Sequence, residues 1–177
     1  MSSETEQQDS ATVETLVTPD MHQRKGAWGG QRTSPPVSES DIRKWAIAVY
    51  WPETPPPLYW DLDYAAATTW GTIIAPPDFN PFAWPIVEPR SDRPKKVTPA
   101  ESGGGQTRKL RGMNGGQVET YGVPMRPGDV ITARNRLRDW EERTTRLGLT
   151  LFSYSELEWH NQHDELVKRR VSTAILY

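Results

Sequence analysis

The chain has 177 residues, room for one domain of ordinary size. Its 21 Lys and Arg against 23 Asp and Glu give a net charge of -2, which supplies no broad positive field for nucleic acid, and the absence of cysteine excludes disulfides, zinc–thiolate centres, iron–sulfur clusters and thiol nucleophiles. The N-terminus has neither a basic start nor an apolar stretch, and no segment approaches the roughly 18 apolar residues of a membrane span, so the expected location is the cytoplasm.

Residues 1–23 carry five acids (Glu4, Glu6, Asp9, Glu14, Asp20) and no Lys or Arg in a Ser, Thr and Gln background. Such a composition cannot bury enough apolar area to offset ordering entropy, so a disordered acidic tail is expected, followed by a single domain over 24–177. The first helix opens at Ser38, a capping residue, with Asp41 three positions on and Val37 placed to staple against Ile42. Ile42, Trp45, Ala46 and Val49 follow at helical spacing and predict one buried stripe. Pro52, Pro55, Pro56 and Pro57 end that helix.

A second short helix is predicted over Asp61 to Trp70, capped by Asp61 or Asp63 and with Gly71 available as terminator. Thr72 to Ala75 is a brief apolar run, and Asp78 to Trp84 reads as a short helix limited by Pro81 and Pro85. Residues 88–111 form a basic loop by composition. Strands are predicted at Gln117 to Tyr121, Val130 to Glu142, Leu149 to His160 and Leu166 to Tyr177, separated by RPGD, RLG and NQHD turns. Leu149, Leu151, Ser153, Ser155 and Leu157 share one face of their strand, and Val167, Val171, Thr173 and Ile175 share one face of the next, broken by Arg169. Helices first and antiparallel strands afterwards give an α+β class.

Two blocks, PLYWDLDYAAATTWGTIIAPP beginning at Pro57 and MNGGQVETYGVPMRPGD from Met113 to Asp129, together with HNQHDELVKRR, resemble the MaoC-like hot-dog hydratases and dehydratases, most nearly their N-terminal, fatty-acid-synthase-type dehydratase domain. The resemblance runs from about Trp28 to Tyr177. It implies a long central helix wrapped by a five-stranded antiparallel sheet, paired with a second hot-dog and acting on acyl thioesters of coenzyme A or acyl carrier protein, with no metal or redox cofactor.

Active members of that family use an Asp and a His in a D-x-N-P-x-H stretch, and a backbone N–H that polarises the thioester carbonyl. Anchored on Leu58, Asp61 and Ala65, the Asp position reads Thr54, the His position Tyr59 and the N–H position Pro77. None can do its counterpart's work near neutral pH. A one-residue shift would bring Glu53 to the Asp position and still no histidine, since the only ones are His22, His160 and His163. The resemblance therefore implies a non-catalytic subunit whose partner, a catalytic MaoC-like hot-dog chain, brings the Asp and His. On that reading Tyr59, Phe79, Phe82, Trp84 and the turn Met113, Asn114, Gly115 and Gly116 line a widened acyl tunnel, and Arg108, Lys109 and Arg111 meet the carrier phosphate. Two other readings stay open: a self-sufficient hydratase using Glu53 or Asp61, and a non-enzymatic acyl-thioester-binding hot-dog.

Bland readings stand beside these. The Trp-rich middle (Trp45, Trp51, Trp60, Trp70, Trp84) suits core or subunit interface as well as a pocket wall. The basic loop suits a solvated insertion. Gly103 to Gly105 fail the phosphate-loop spacing. His160 and His163 read as turn residues, with no convergent metal-ligand set, and Asp61 and Asp63 as helix caps.

Overall fold

Ser38 opens the longest helix of the computed structural model, which describes residues 15–83 and 110–177. Its side chain accepts a hydrogen bond from the Asp41 N–H, satisfying one of the free donors of the first turn of α2 (Glu39–Tyr50). Two elements precede it, α1 (Pro19–Arg24) and β1 (Gly29–Thr33). After it come a 3-10 turn over Pro57–Tyr59 and α3 (Leu62–Ala66), then four strands: β2 (Gly112–Tyr121), β3 (Thr132–Thr145), β4 (Gly148–His160) and β5 (Leu166–Leu176).

The strands make one antiparallel sheet in the order β1-β3-β4-β5-β2. β3, β4 and β5 form the expected meander, flanked by β1 and β2. Its turns are closed by the residues predicted to close them. The Asp129 carboxylate accepts from the Arg126 N–H at 2.7 Å, and Asn161 Oδ1 accepts from both the His163 and Glu165 N–H groups at 3.0 Å.

The two sheet faces differ in kind. In the antiparallel register Ala133 pairs with Trp159, Asn135 with Leu157 and Leu151 with Leu176 on one face. Ala133, Trp159 and Val167 join Ile42, Ala65, Ile73, Ala75, Phe79, Met125 and Ile131 in one buried cluster, so α2 and the 58–79 segment cover that end of the sheet. The opposite face carries charge: Arg134 and Arg169 each reach Glu158 at 2.8 Å, Arg136 Nε bonds Glu156 at 2.6 Å, and Trp28 lies over Arg134 and Arg136. Val171, Thr173 and Ile175 belong to this second face, opposite to the Leu149–Leu157 set.

Several expectations change. The helix on which the sheet packs is α2, 12 residues long with Ile42 and Ala46 buried, while α3, expected to reach Trp70, ends at Ala66. Asp78 to Ala83 forms successive turns instead of a helix, because Pro77 and Pro81 restart the chain after less than one helical turn. β2 begins five residues earlier than predicted, since Gly112 to Gly116 lack the alternation that marks a strand, yet Gly112, Met113 and Asn114 still pair with β5 before the bulge. β1 has no apolar pattern, being an exposed edge strand.

Thr18 caps α1, Thr15 donates to Glu142, and His22 stands edge-on to Trp140 at 5.0 Å, contacts that join residues 15–23 to β3. Residues 1–14 lie outside the described residues. No helix among those described is long and apolar enough to cross a membrane.

Candidate functional site

The segment that resembles the family's catalytic stretch runs from the end of α2 through the 3-10 turn to α3. Its prolines fix extended backbone up to Pro57, where Tyr59 N–H returns to Pro56 and Asp61 N–H to Pro57. Thr54 is exposed and Tyr59 half-buried. The Tyr59 ring faces Tyr50 at 6.0 Å between centroids. Burial, then the hydrogen bond and charge of Tyr50, then Asp78, push the Tyr59 hydroxyl above its ordinary pKa, so it remains neutral. It is no proton acceptor near pH 7.

Pro77 occupies the second position of a tight turn closed by Phe79 N–H to Pro76 C=O at 2.9 Å. Proline favours that position and brings no donor to it. His22 is on Trp140, while His160 and His163 sit at the β4–β5 turn. Asp61 is committed as the cap of α3, accepting from the Tyr64 N–H at 3.0 Å, and Glu53 is exposed.

The remaining sequence-derived site residues fall into three places. Phe79 is 3% exposed within the core cluster and meets Trp45 edge-on, and Phe82 packs on that cluster, edge-on to Trp159, with Arg32 over its other side. Met113 and Asn114 belong to an open groove of about 800 Å³ at the far end of the sheet, floored by Leu151, Ser153, Ser155 and Ala174. Asn114 Oδ1 accepts from the Gly116 N–H, and Gly115 approaches Thr173 so closely that a Cβ there would stand 2.8 Å from Cγ2. Glycine at 115 is what lets this bulge of β2 lie against β5. Tyr59 is thus grouped with Tyr50, apart from the groove at Met113.

Arg111 exchanges both backbone hydrogen bonds with Tyr177 and is exposed; Trp84, Arg108 and Lys109, with most of the basic loop, lie outside the described residues. Of the tryptophans, Trp45 packs on the core, whereas Trp51, Trp60 and Trp70 are exposed. No group of three potential metal ligands occurs among the described residues.

One charged cluster escaped the sequence reading. On the core face of the sheet, Glu119 takes Arg170 on one oxygen at 2.6 Å and Lys168 and Tyr121 on the other. Burial opposes ionisation of Glu119, but these three hydrogen bonds prevail and hold its carboxyl at about 2. The signal was present as Lys168 and Arg170 at alternate positions of a strand whose other face looked apolar.

Sheet order and register are those of a hot-dog protein. The family model described as "FAS1-like, dehydratase domain region" matches residues 23–170, and the chain belongs to that family. Among solved structures it is similar to a chain of the ChsH1-ChsH2 complex from Mycobacterium tuberculosis, with 20% identity over 88% of this chain and 87% of that one and a TM-score of 0.61. It is also similar to a MaoC-like dehydratase from Rhodospirillum rubrum (15% identity, 85% and 92% covered, TM-score 0.51) and to the (R)-hydratase from A. caviae (14%, 84% and 95%, 0.50). No curated protein matches the sequence.

Proposed function

We propose that this chain is the non-catalytic, acyl-accommodating subunit of a heteromeric enoyl-thioester hydratase or 3-hydroxyacyl-thioester dehydratase, working in the cytoplasm on thioesters of coenzyme A or acyl carrier protein without a metal or redox cofactor. The observation that carries it is the set Thr54, Tyr59 and Pro77. Adding water across an enoyl thioester needs a base for the water, an acid for the α carbon and a donor for the developing enolate oxygen. At the three positions where the family places them, this chain offers a hydroxyl, a neutral phenol and an imino nitrogen without hydrogen.

The exposed surface supports a partner. Ile47, Trp51, Trp60, Leu62 and Tyr64 are all more than a third exposed along α2, the 3-10 turn and α3. Exposed apolar groups on successive elements suit an association surface and support this reading. The similar ChsH1-ChsH2 structure is, by its description, a complex of two components. In this reading the partner brings the Asp, the His and the N–H. Tyr59, Phe79, Phe82, Trp84 and the Met113–Gly116 bulge shape the space for the acyl group, and Arg108, Lys109 and Arg111 meet the carrier.

The test is mass determination in solution of the chain alone and co-expressed with a hot-dog chain carrying D-x-N-P-x-H, with enoyl-thioester hydration assayed on both. Hydration only by the mixed complex is expected. Turnover at ordinary enzymatic rates by the lone chain would overturn the reading.

A further inference from the structure

One cavity borders Pro77 and carries a charged side chain that the proposed function leaves unused. It opens where the 70–77 segment meets the end of β2 and the start of β5, measures about 230 Å³, and is walled chiefly by Trp70, Pro76, Pro77, Val123, Met125 and Val167. Gly122 allows its narrow side to form: Gly122 N–H bonds Val167 C=O at 3.0 Å, and a Cβ at that position would fall 1.9 Å from the Leu166 oxygen. Two polar side chains also line it, Tyr121 and Lys168.

Lys168 is only 5% exposed. Its Nζ lies 3.1 Å from Glu119 and 5.2 Å from the ring centroids of both Tyr121 and Trp159. An ammonium has three N–H donors. Among the described residues one is used by Glu119, and the aromatic faces attract the charge without supplying an acceptor oxygen.

Glu119 is itself divided, because Arg170 takes its other oxygen and the Tyr121 hydroxyl shares the oxygen used by Lys168. Two cations therefore share one carboxylate. The other acid whose field reaches Tyr121 is Asp78, an exposed residue on which solvent acts. A buried ammonium with half a counter-ion and spare donors, on the wall of an otherwise apolar cavity, is a place where an anionic oxygen gains more than a neutral one.

We infer that this cavity binds a small carboxylate with an apolar tail, its carboxylate seated on the Lys168 ammonium and its tail against Trp70, Val123 and Met125. With about 30 Å³ per small group, the volume accommodates on the order of eight heavy atoms. Hexanoate is a probe of that size. The site needs no partner subunit, so it is tested on the lone chain and stands or falls apart from the heteromer.

The experiment is a titration of the full chain, followed through the indole N–H resonances of Trp70 and Trp159, with hexanoate, hexanol and hexylamine. Hexanoate is expected to shift both resonances and to bind at least about tenfold more tightly than hexylamine, with hexanol between them. Lys168→Met should remove the preference for hexanoate and leave hexanol binding in place, and Trp70→Ala should weaken both. Equal binding of hexanoate and hexylamine, no shift at about 10 mM hexanoate, or a preference that survives Lys168→Met would each overturn the inference. If Lys168→Met does not fold, the comparison of the three probes on the unaltered chain decides.

Discussion

Tyr59 stands against Tyr50 with their rings tilted by 37°, so the residue that the proposed function sets at the family's histidine position is held by a second phenol. On the proposed function its role is packing and shape. Tyr59→Phe should leave hydration by a mixed complex within about twofold and cost the fold about 1 kcal/mol, the worth of one half-buried hydrogen bond. Urea midpoints and rate assays on the same preparation check both numbers. Conversely, Thr54→Asp with Tyr59→His should not produce turnover in the lone chain, because Pro77 still offers no N–H to the thioester oxygen.

Asp61 separates the capping role from acid–base work. Asp61→Asn keeps an acceptor for the Tyr64 N–H and should leave both stability and complex activity nearly unchanged. Asp61→Ala removes the cap and should cost about 1 kcal/mol. A large activity loss in Asp61→Asn with an unaltered urea midpoint would instead make Asp61 a catalytic acid or base and restore the self-sufficient reading.

Much of this was legible in the sequence because it is written in local chemistry. Ser38, Asp61, Asp129 and Asn161 each satisfy a backbone N–H within four residues, so caps and turns could be placed from neighbouring letters. The meander followed from period-two runs between those turns. What escaped depends on register. Leu149 to Leu157 and Val171 to Ile175 both alternate, but only the pairing of Leu151 with Leu176 reveals that they lie on opposite faces. The same pairing brings Glu156 and Glu158 between Arg134, Arg136 and Arg169, and Glu119 between Lys168 and Arg170. Charged partners separated by up to 51 residues leave no spacing signature. The candidate site was legible mainly through residue types, since the proline and the tyrosine on which the proposed function rests, Pro77 and Tyr59, need no coordinates to be named.

The Glu119 cluster predicts a pH dependence with a definite sign. Its carboxyl has a lower pKa in the folded chain, about 2, than its ordinary 4.5, so the unfolded chain binds more protons between those values. Stability from this group is therefore complete above about pH 4.5 and is lost as the pH falls toward about 2. Glu119→Gln should flatten the urea midpoint against pH in that window relative to the unaltered chain. An unchanged slope would mean that other carboxylates carry the acid sensitivity, with Glu158, whose pKa is also lowered, the first to examine.

Among the described glycines, Gly122 leaves the least room for a side chain. Its N–H donates to Val167 and the next N–H, of Val123, donates to Leu166, so two successive hydrogen bonds tie the end of β2 to the start of β5. A methyl group placed on Gly122 would meet the Leu166 carbonyl at 1.9 Å, a backbone atom that can retreat only by lengthening both bonds. Gly122→Ala should accordingly cost about 1–3 kcal/mol, seen as a lower urea midpoint. It should also speed hydrogen exchange at Gly122 and Val123 while the β3–β4 hairpin exchanges as before. The cavity beside Lys168 shares this seam, with Gly122 and Val167 both on its wall. Hexanoate binding should therefore weaken in Gly122→Ala even where the variant remains folded, whereas a change confined to packing elsewhere in the core would leave it intact.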